Sequence, residues 1–226
     1  MKKQMPAISR PRSMPTTPQA RHTTTHIVAP GETLWRISKM YNVPIATIMH
    51  TNRLVDRNTL NMGQKLIIPQ ASAAQPVITL YPSTKWKYII VHHSATDEGS
   101  SLDFHKYHLS KGWDQGVGYH FVIDNGKKDK PDGLIETTPR WLKQLDGAHC
   151  KASDMNTKAI GICLVGNFNK EDASSAQLKS LIYLVNKLRK YYNIPSRCIL
   201  GHRHVAGSKT DCPGKNFPWH AFKSRL

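Results

Sequence analysis

The chain has 226 residues, 39% of them hydrophobic, with five Trp. That composition excludes wholesale disorder and fits a small module plus a domain of roughly 140 residues with a real core. Its 32 Lys and Arg against 15 Asp and Glu give a formal net charge of +17, which points to a polyanionic partner without choosing among nucleic acid, anionic lipid and a phosphate-bearing cell wall.

No stretch approaches the ~20 apolar residues of a membrane span. The first residues, MKKQMPAISRPRSMPTTPQARHTTT, are basic at the start but have no apolar run, so they read as neither signal peptide nor anchor. Residues 1–25 carry Lys2, Lys3, Arg10, Arg12 and Arg21 with no acid, and are expected to form a disordered basic arm. Cys150, Cys163, Cys198 and Cys212 lack CxxC pairing, which favours buried free thiols over a disulfide framework.

From His26 the texture changes. His26-Ile27-Val28 reads as a short strand, and Pro30-Gly31 as a turn. Glu32-Thr33 then opens a helix with Leu34, Ile37 and Tyr41 on its apolar face. Asn42-Val43-Pro44 stops it, and a second helix runs about 45–52 with Ile45, Ile48 and Met49 inward. Asn58 to Gly63 turns the chain into a closing strand, Lys65-Leu66-Ile67-Ile68-Pro69.

This strand–helix–helix–strand segment, 26–70, resembles a LysM module along its whole length, through VAPGETLWRIS, YNVPIATIMHTNRL and NTLNMGQKLIIP. The resemblance implies binding of an N-acetylglucosamine-containing glycan, in peptidoglycan or chitin. It places the groove around Gly31, Thr33 and Leu34 on one side and Thr59–Met62 on the other. Leu34, Ile37 and Ile67 can equally serve only to build the fold. Residues 71–85 mix small residues with Pro76 and Pro82, and read as a semi-stiff linker keeping docking and chemistry on separate bodies.

The rest, 86–226, reads as an α/β domain with a central mixed sheet and flanking helices. Trp86–Val91 is a strand running into His92-His93, Leu102–Ser110 a helix, and Val117–Ile123 a strand ending at Asp124-Asn125-Gly126. Lys158–Val165 is a buried strand. Ser174 and Gln177 form a capping box for a long helix with Leu178, Leu181, Ile182, Val185 and Leu188 on one face. Arg197–Leu200 is a last short strand leading to Gly201-His202.

The chain holds 12 histidines but neither HExxH nor CxxC, so it has no short zinc signature. Position singles out three residues: His92 at a strand end, His202 after another, and Cys212 in a polar turn before Pro213-Gly214. Side chains on loops leaving strand ends can converge on one spot.

YIIVHHSAT, GWDQGVGYHFVIDNG, GAH, IGICLVGNF and GHRHVAGSKTDCPG stand in the order seen in the type-2 N-acetylmuramoyl-L-alanine amidases, a family that includes phage amidases and peptidoglycan recognition proteins. The resemblance spans about 86–220. It implies Zn2+ held by His92, His202 and Cys212, with His93 a neighbour. The same resemblance implies cleavage of the amide joining N-acetylmuramic acid to L-alanine. Two imidazoles and a thiolate leave a fourth tetrahedral position open, the catalytic arrangement. Tyr119 matches the family's catalytic tyrosine, while His120 falls on the opposite face by strand period. An oxyanion donor comes from the loop before Cys212, where Lys209 is preferred over Thr210. Asp211 is an alternative ligand to Cys212. His149 and Asn156 match positions lining the substrate cleft, and capping a turn is an equal alternative for Asn156.

A non-catalytic peptidoglycan-binding receptor is the alternative reading. No helix-turn-helix, zinc-finger or RNA-binding signature accompanies the charge, so nucleic acid is not the expected partner. Peptidoglycan is, with anionic wall polymers as a second attraction. A wall-cutting enzyme without an export signal is expected to wait in the cytoplasm until released, as phage endolysins do, or to leave by an unrecognised route.

Overall fold

A computed structural model of the chain describes residues 21–226. The N-terminal module is β1 (His22–Ile27), α1 (Leu34–Tyr41), α2 (Ile45–Thr51) and β2 (Lys65–Ala71), with β1 and β2 paired antiparallel. Thr33 caps α1 by accepting from the Arg36 N–H at 3.3 Å, and Asn42, in the left-handed region, ends it. Leu34, Ile37 and Ile48 then meet Leu66 and Ile68 in a core of their own. Asn52 ties α2 to β2, its amide donating to Ile67 O at 2.7 Å and its oxygen accepting from Ile67 N at 2.7 Å.

Most of the expected arm lies outside the described residues. Its last part is corrected: His22–Thr25 extend β1 and pair opposite Ala71, Ile68 and Ile67. The threonine run suits pleated backbone, and β2 offers it an unpaired edge.

The C-terminal domain comprises β3 (Tyr88–His93), α3 (Ser101–Ser110), β4 (Phe121–Ile123), β5 (Ile135–Thr137), α4 (Pro139–Leu142), α5 (Met155–Lys158), β6 (Ala159–Leu164), α6 (Ser175–Tyr192), β7 (Ile199–Gly201) and α7 (Trp219–Lys223). Its five-stranded sheet has the order β5-β4-β6-β3-β7; β4, β6, β3 and β7 run parallel and β5 antiparallel on the edge. The capping box at Ser174 and Gln177 forms, and α6 buries Leu181, Leu184, Val185 and Leu188 against the sheet. The strand expected over 117–123 shortens to 121–123, although the His120 N–H still donates to Gly161 O at 2.9 Å and its carbonyl accepts from Thr138 N at 3.1 Å. No helix among the described residues is long and apolar enough to cross a membrane.

Residues 71–85 are not a free spacer. Ile78, Leu80 and Tyr81 pack on the main core, and the Trp141 indole donates to Thr79 O at 2.9 Å. Ala74 and Val77 pack on the module's core, where Arg36 donates to Val77 O. The module is therefore seated on the domain. Leu134 joins its core, Lys130 donates to Ile27 O at 2.7 Å, and the Gly31 turn faces Pro139 and Leu142.

At that seat the Glu32 carboxylate accepts from His26 Nε2 and from Ala29 N, both at 2.7 Å. Burial works to raise its pKa, but attraction to His26 and Lys130 and the Ala29 bond override this and hold it down to about 2. A depressed carboxylate stabilises fully above its free pKa of 4.5 and loses that contribution as pH falls towards 2. Glu32→Gln is expected to remove about 1–2 kcal/mol at pH 7 and flatten the acid side of the stability profile. Denaturant unfolding at pH 7 and pH 3 reads this; equal losses at both would contradict it.

Candidate functional site

The sheet delivers the metal-ligand candidates to one end. β3 lies between β6 and β7, both parallel to it, and Val91 is in register with Gly201. The next residues, His92 and His202, therefore leave neighbouring strands at the same level, with ring centroids 4.8 Å apart. The loop after His202 folds back through an Arg203 N–H to Cys212 O bond of 2.8 Å. This brings Cys212 Sγ to 3.6 Å from His92 Nδ1. One ligand atom from each of His92, His202 and Cys212 lies within 4.8 Å of the others. Small side-chain rotations let one ion bridge that span with bonds of about 2.0–2.3 Å.

The electrostatics suit a soft cation. Burial, then the neighbouring His149, His202 and His93, holds His92 far below the usual imidazole range. Burial also lowers His202. Both rings are thus neutral, the form that binds metal. Burial pushes the Cys212 thiol up to about 12, opposed in part by the His93 N–H pointing at Sγ from 3.4 Å. A metal ion supplies the charge that removes such a thiol proton. Two imidazoles and a thiolate fit zinc better than Mg2+ or Ca2+, which take oxygen ligands. Asp211, the alternative ligand, is exposed and outside this group.

Tyr119 stands beside the cluster, its ring 5.2 Å from that of His92. It opens onto a cleft of about 400 Å³ lined also by Ser94, Gly99, Phe104, Tyr107 and His108. Burial, then Cys163 and Cys212, holds its phenol well above the usual range, so it keeps its proton and acts as a donor. A larger cavity of about 830 Å³ lies at the seam between module and domain, lined by Tyr41, Pro76 and Tyr183. Neither cavity is lined by the candidate ligands, but the smaller one is lined by Tyr119, whose ring lies beside that of His92, and this makes it the candidate substrate cleft.

His149 is buried behind His92, not in the open cleft: its Nδ1 is 3.1 Å from His92 Nε2 and its Nε2 3.2 Å from Ala159 O. Burial holds it down to about 3. Asn156 caps a turn, accepting from His149 N and Cys150 N at 2.8 Å each. Leu34 is 1% exposed and belongs to the module core. Thr33 is exposed but committed to its helix cap, and Gly31 sits in the turn facing Leu142. Thr210 is exposed and accepts from Cys212 N at 3.1 Å, while Lys209 stands exposed beside it. His93 accepts from Phe168 N at 3.1 Å, and His120 is fully buried with Nε2 3.1 Å from Leu145 O. Both rings face backbone groups of the domain.

The sequence reading missed the α3 wall of the cleft. His108 accepts from Gly118 N at 3.1 Å and stacks on Trp113 at 4.4 Å. Phe104, Tyr107 and His108 share a face by helical spacing, but α3 buries so little that this face carried no core signal.

Residues 82–215 match the family model described as N-acetylmuramoyl-L-alanine amidase, and residues 26–69 match the LysM domain model. Peptidoglycan-recognition protein SC2 of Drosophila melanogaster is 32% identical over 147 residues, covering 61% of this chain and 72% of that protein. An N-acetylmuramoyl-L-alanine amidase of Sus scrofa is 29% identical over 140 residues, 56% of this chain and 21% of that protein. Among solved structures, the amidase LysC from Clostridium intestinale aligns with a TM-score of 0.54 at 31% identity, covering 68% of this chain and 98% of that one. The endolysin amidase LysCS from the same organism aligns at 0.53 and 32%, covering 67% and 93%.

The turn that carries His149 depends on one side chain. Asn156→Ala leaves two backbone donors unpaired and is expected to destabilise the domain by about 2 kcal/mol in denaturant unfolding. A loss under ~0.5 kcal/mol would show that water replaces the carboxamide.

Proposed function

The chain belongs to the N-acetylmuramoyl-L-alanine amidase family, and on that premise we propose that it hydrolyses the amide between N-acetylmuramic acid and the L-alanine of the stem peptide. The observation that carries this reading is the convergence of His92, His202 and Cys212 beside the Tyr119 phenol at the mouth of a cleft. A bound zinc ion would lower the pKa of water to about 7 and polarise the scissile carbonyl.

The chain's own groups supply the rest. His92 and His202 offer neutral nitrogens and Cys212 a thiolate, whose charge the His93 N–H helps to hold. The Tyr119 hydroxyl, kept protonated by burial, donates to oxygen as negative charge develops on it. Thr210 Oγ1 accepts from the Cys212 N–H and keeps its own O–H free, so that loop offers two donors, of which Lys209 carries the fuller charge and is preferred. The walls formed by Phe104, Tyr107 and His108 hold the stem peptide. His149 and Asn156 serve the scaffold of the site rather than the substrate.

The LysM module docks the enzyme on the glycan through the exposed loop at Thr59–Met62, because Gly31 faces Leu142 of the domain and Thr33 is held in its helix cap. The family likeness to an endolysin amidase supports a lytic role, with the wall reached on release from the cell. The net charge of +17 adds attraction to anionic wall polymers.

Purified protein is expected to carry about one zinc per chain and to release free stem peptides from sacculi, read by mass spectrometry. Cys212→Ala should abolish both. Tyr119→Phe should retain zinc and lose about 10²–10³ in rate. A zinc-free wild type that binds wall fragments without cutting them would establish a receptor instead. Binding to whole walls is expected to weaken steeply between low salt and about 0.5 M, well past the screening of exposed charges; salt-independent binding would remove the polyanion contribution.

A further inference from the structure

We infer that His149 is a positioning residue: a buried imidazole that fixes the tautomer and orientation of His92 for the metal. The inference rests on the reading of His92 as a ligand and gives it a mechanism. His92 turns Nδ1 towards Cys212 Sγ, 3.6 Å away, and Nε2 in the opposite direction, towards His149 Nδ1 at 3.1 Å. The far nitrogen of His149, Nε2, meets Ala159 O at 3.2 Å.

The carbonyl end sets the direction of every proton in this relay. A carbonyl only accepts, so His149 Nε2 must carry hydrogen, and a neutral imidazole then has a bare Nδ1. That bare nitrogen accepts from His92 Nε2–H, which leaves the His92 lone pair on Nδ1, facing Cys212. Ligating histidines commonly donate their second N–H to a carboxylate, carbonyl or water. Here an uncharged ring extends the reach to the start of β6, with no buried negative charge added.

The backbone is shaped around this ring. A Cβ on Gly161 would lie 2.4 Å from His149 Cδ2, and one on Gly147 2.3 Å from the same atom. Both positions must stay glycine for the ring to fit. His120, itself pinned by the Gly161 N–H at 2.9 Å, packs edge-on at 5.6 Å. Asn156 holds the His149 backbone from the other side. With both ring nitrogens committed and 8% exposure, His149 has nothing to offer a substrate.

The test compares full-length wild type with His149→Phe, which keeps the ring's bulk but removes both nitrogens, and His149→Asn, whose Oδ1 replaces the acceptor facing His92. Zinc affinity from chelator competition is expected to fall about 10- to 100-fold in His149→Phe and to recover largely in His149→Asn. Long-range 1H–15N spectra should show His92 protonated at Nε2 in wild type and His149→Asn. In His149→Phe that proton signal should shift or broaden. Circular dichroism and thermal unfolding confirm that each variant is folded; if His149→Phe fails to fold, the wild-type tautomer and the His149→Asn affinity decide. A His92 protonated at Nδ1, or zinc affinity in a folded His149→Phe within about twofold of wild type, an order below the expected effect, overturns the inference. So does unchanged zinc affinity with weakened binding of wall fragments, which would return His149 to the substrate. A wild-type chain that takes no zinc overturns the proposed function as well, whereas the relay with normal zinc uptake but no hydrolysis overturns the proposed function alone.

Discussion

The parallel placement of β3 between β6 and β7 is the constraint on which the site depends. Side chains at the carboxyl ends of adjacent parallel strands are delivered to one edge of the sheet, where the backbone ladder ends and polar groups can gather. His92 follows Val91 there and His202 follows Gly201, so their approach is fixed by strand register. Cys212 arrives by a loop, and needs the Arg203–Cys212 backbone bond to come within reach. A one-residue slip of β3 would turn His92 to the other face of the sheet and dismantle the group.

Around that edge the domain buries an unusual number of imidazoles. His92, His93, His120 and His149 all lie below a tenth exposed, each with a polar partner. Burying a charged ring costs far more than burying a neutral one, so the cluster stays uncharged. A neutral imidazole is also the form that can bind a metal ion. The cluster orders the site as well, because His92, His120 and His149 each commit both ring nitrogens to partners within the chain.

A second polar group sits where the module meets the domain. Lys130 lies 3.4 Å from Glu136 and donates to Ile27 O across the seam. Burial, then Glu136, raises Asp124 well above the usual carboxylate range, so this neighbour is kept neutral. Burial would lower Lys130, but Glu136 and Glu32 more than reverse that. The charges of two folding units are thereby balanced against each other, and with the packed 71–85 segment they fix the module in place.

Much of this architecture is written in local signals. The Thr33 and Ser174 caps, the spacing of Leu34 and Ile37, the continuous buried run of β6 and the closing Gly-Gln-Lys-Leu run fix the elements through contacts a few residues apart. Motif order singled out His92, His202 and Cys212, which the fold brings together, because a strand end followed by His leaves a mark in sequence. Tertiary structure decided the rest. A ring nitrogen's partner is set by whatever folds beside it, and His92 meets His149 across 57 residues. Periodicity reports that a side chain is buried, never which group it faces. That is why His149 read as a cleft residue, why Asn156 stood undecided between cleft and turn cap, why β5 went unseen on its three residues, and why a proline-marked segment read as a spacer. Each depended on a partner that only the folded chain supplies.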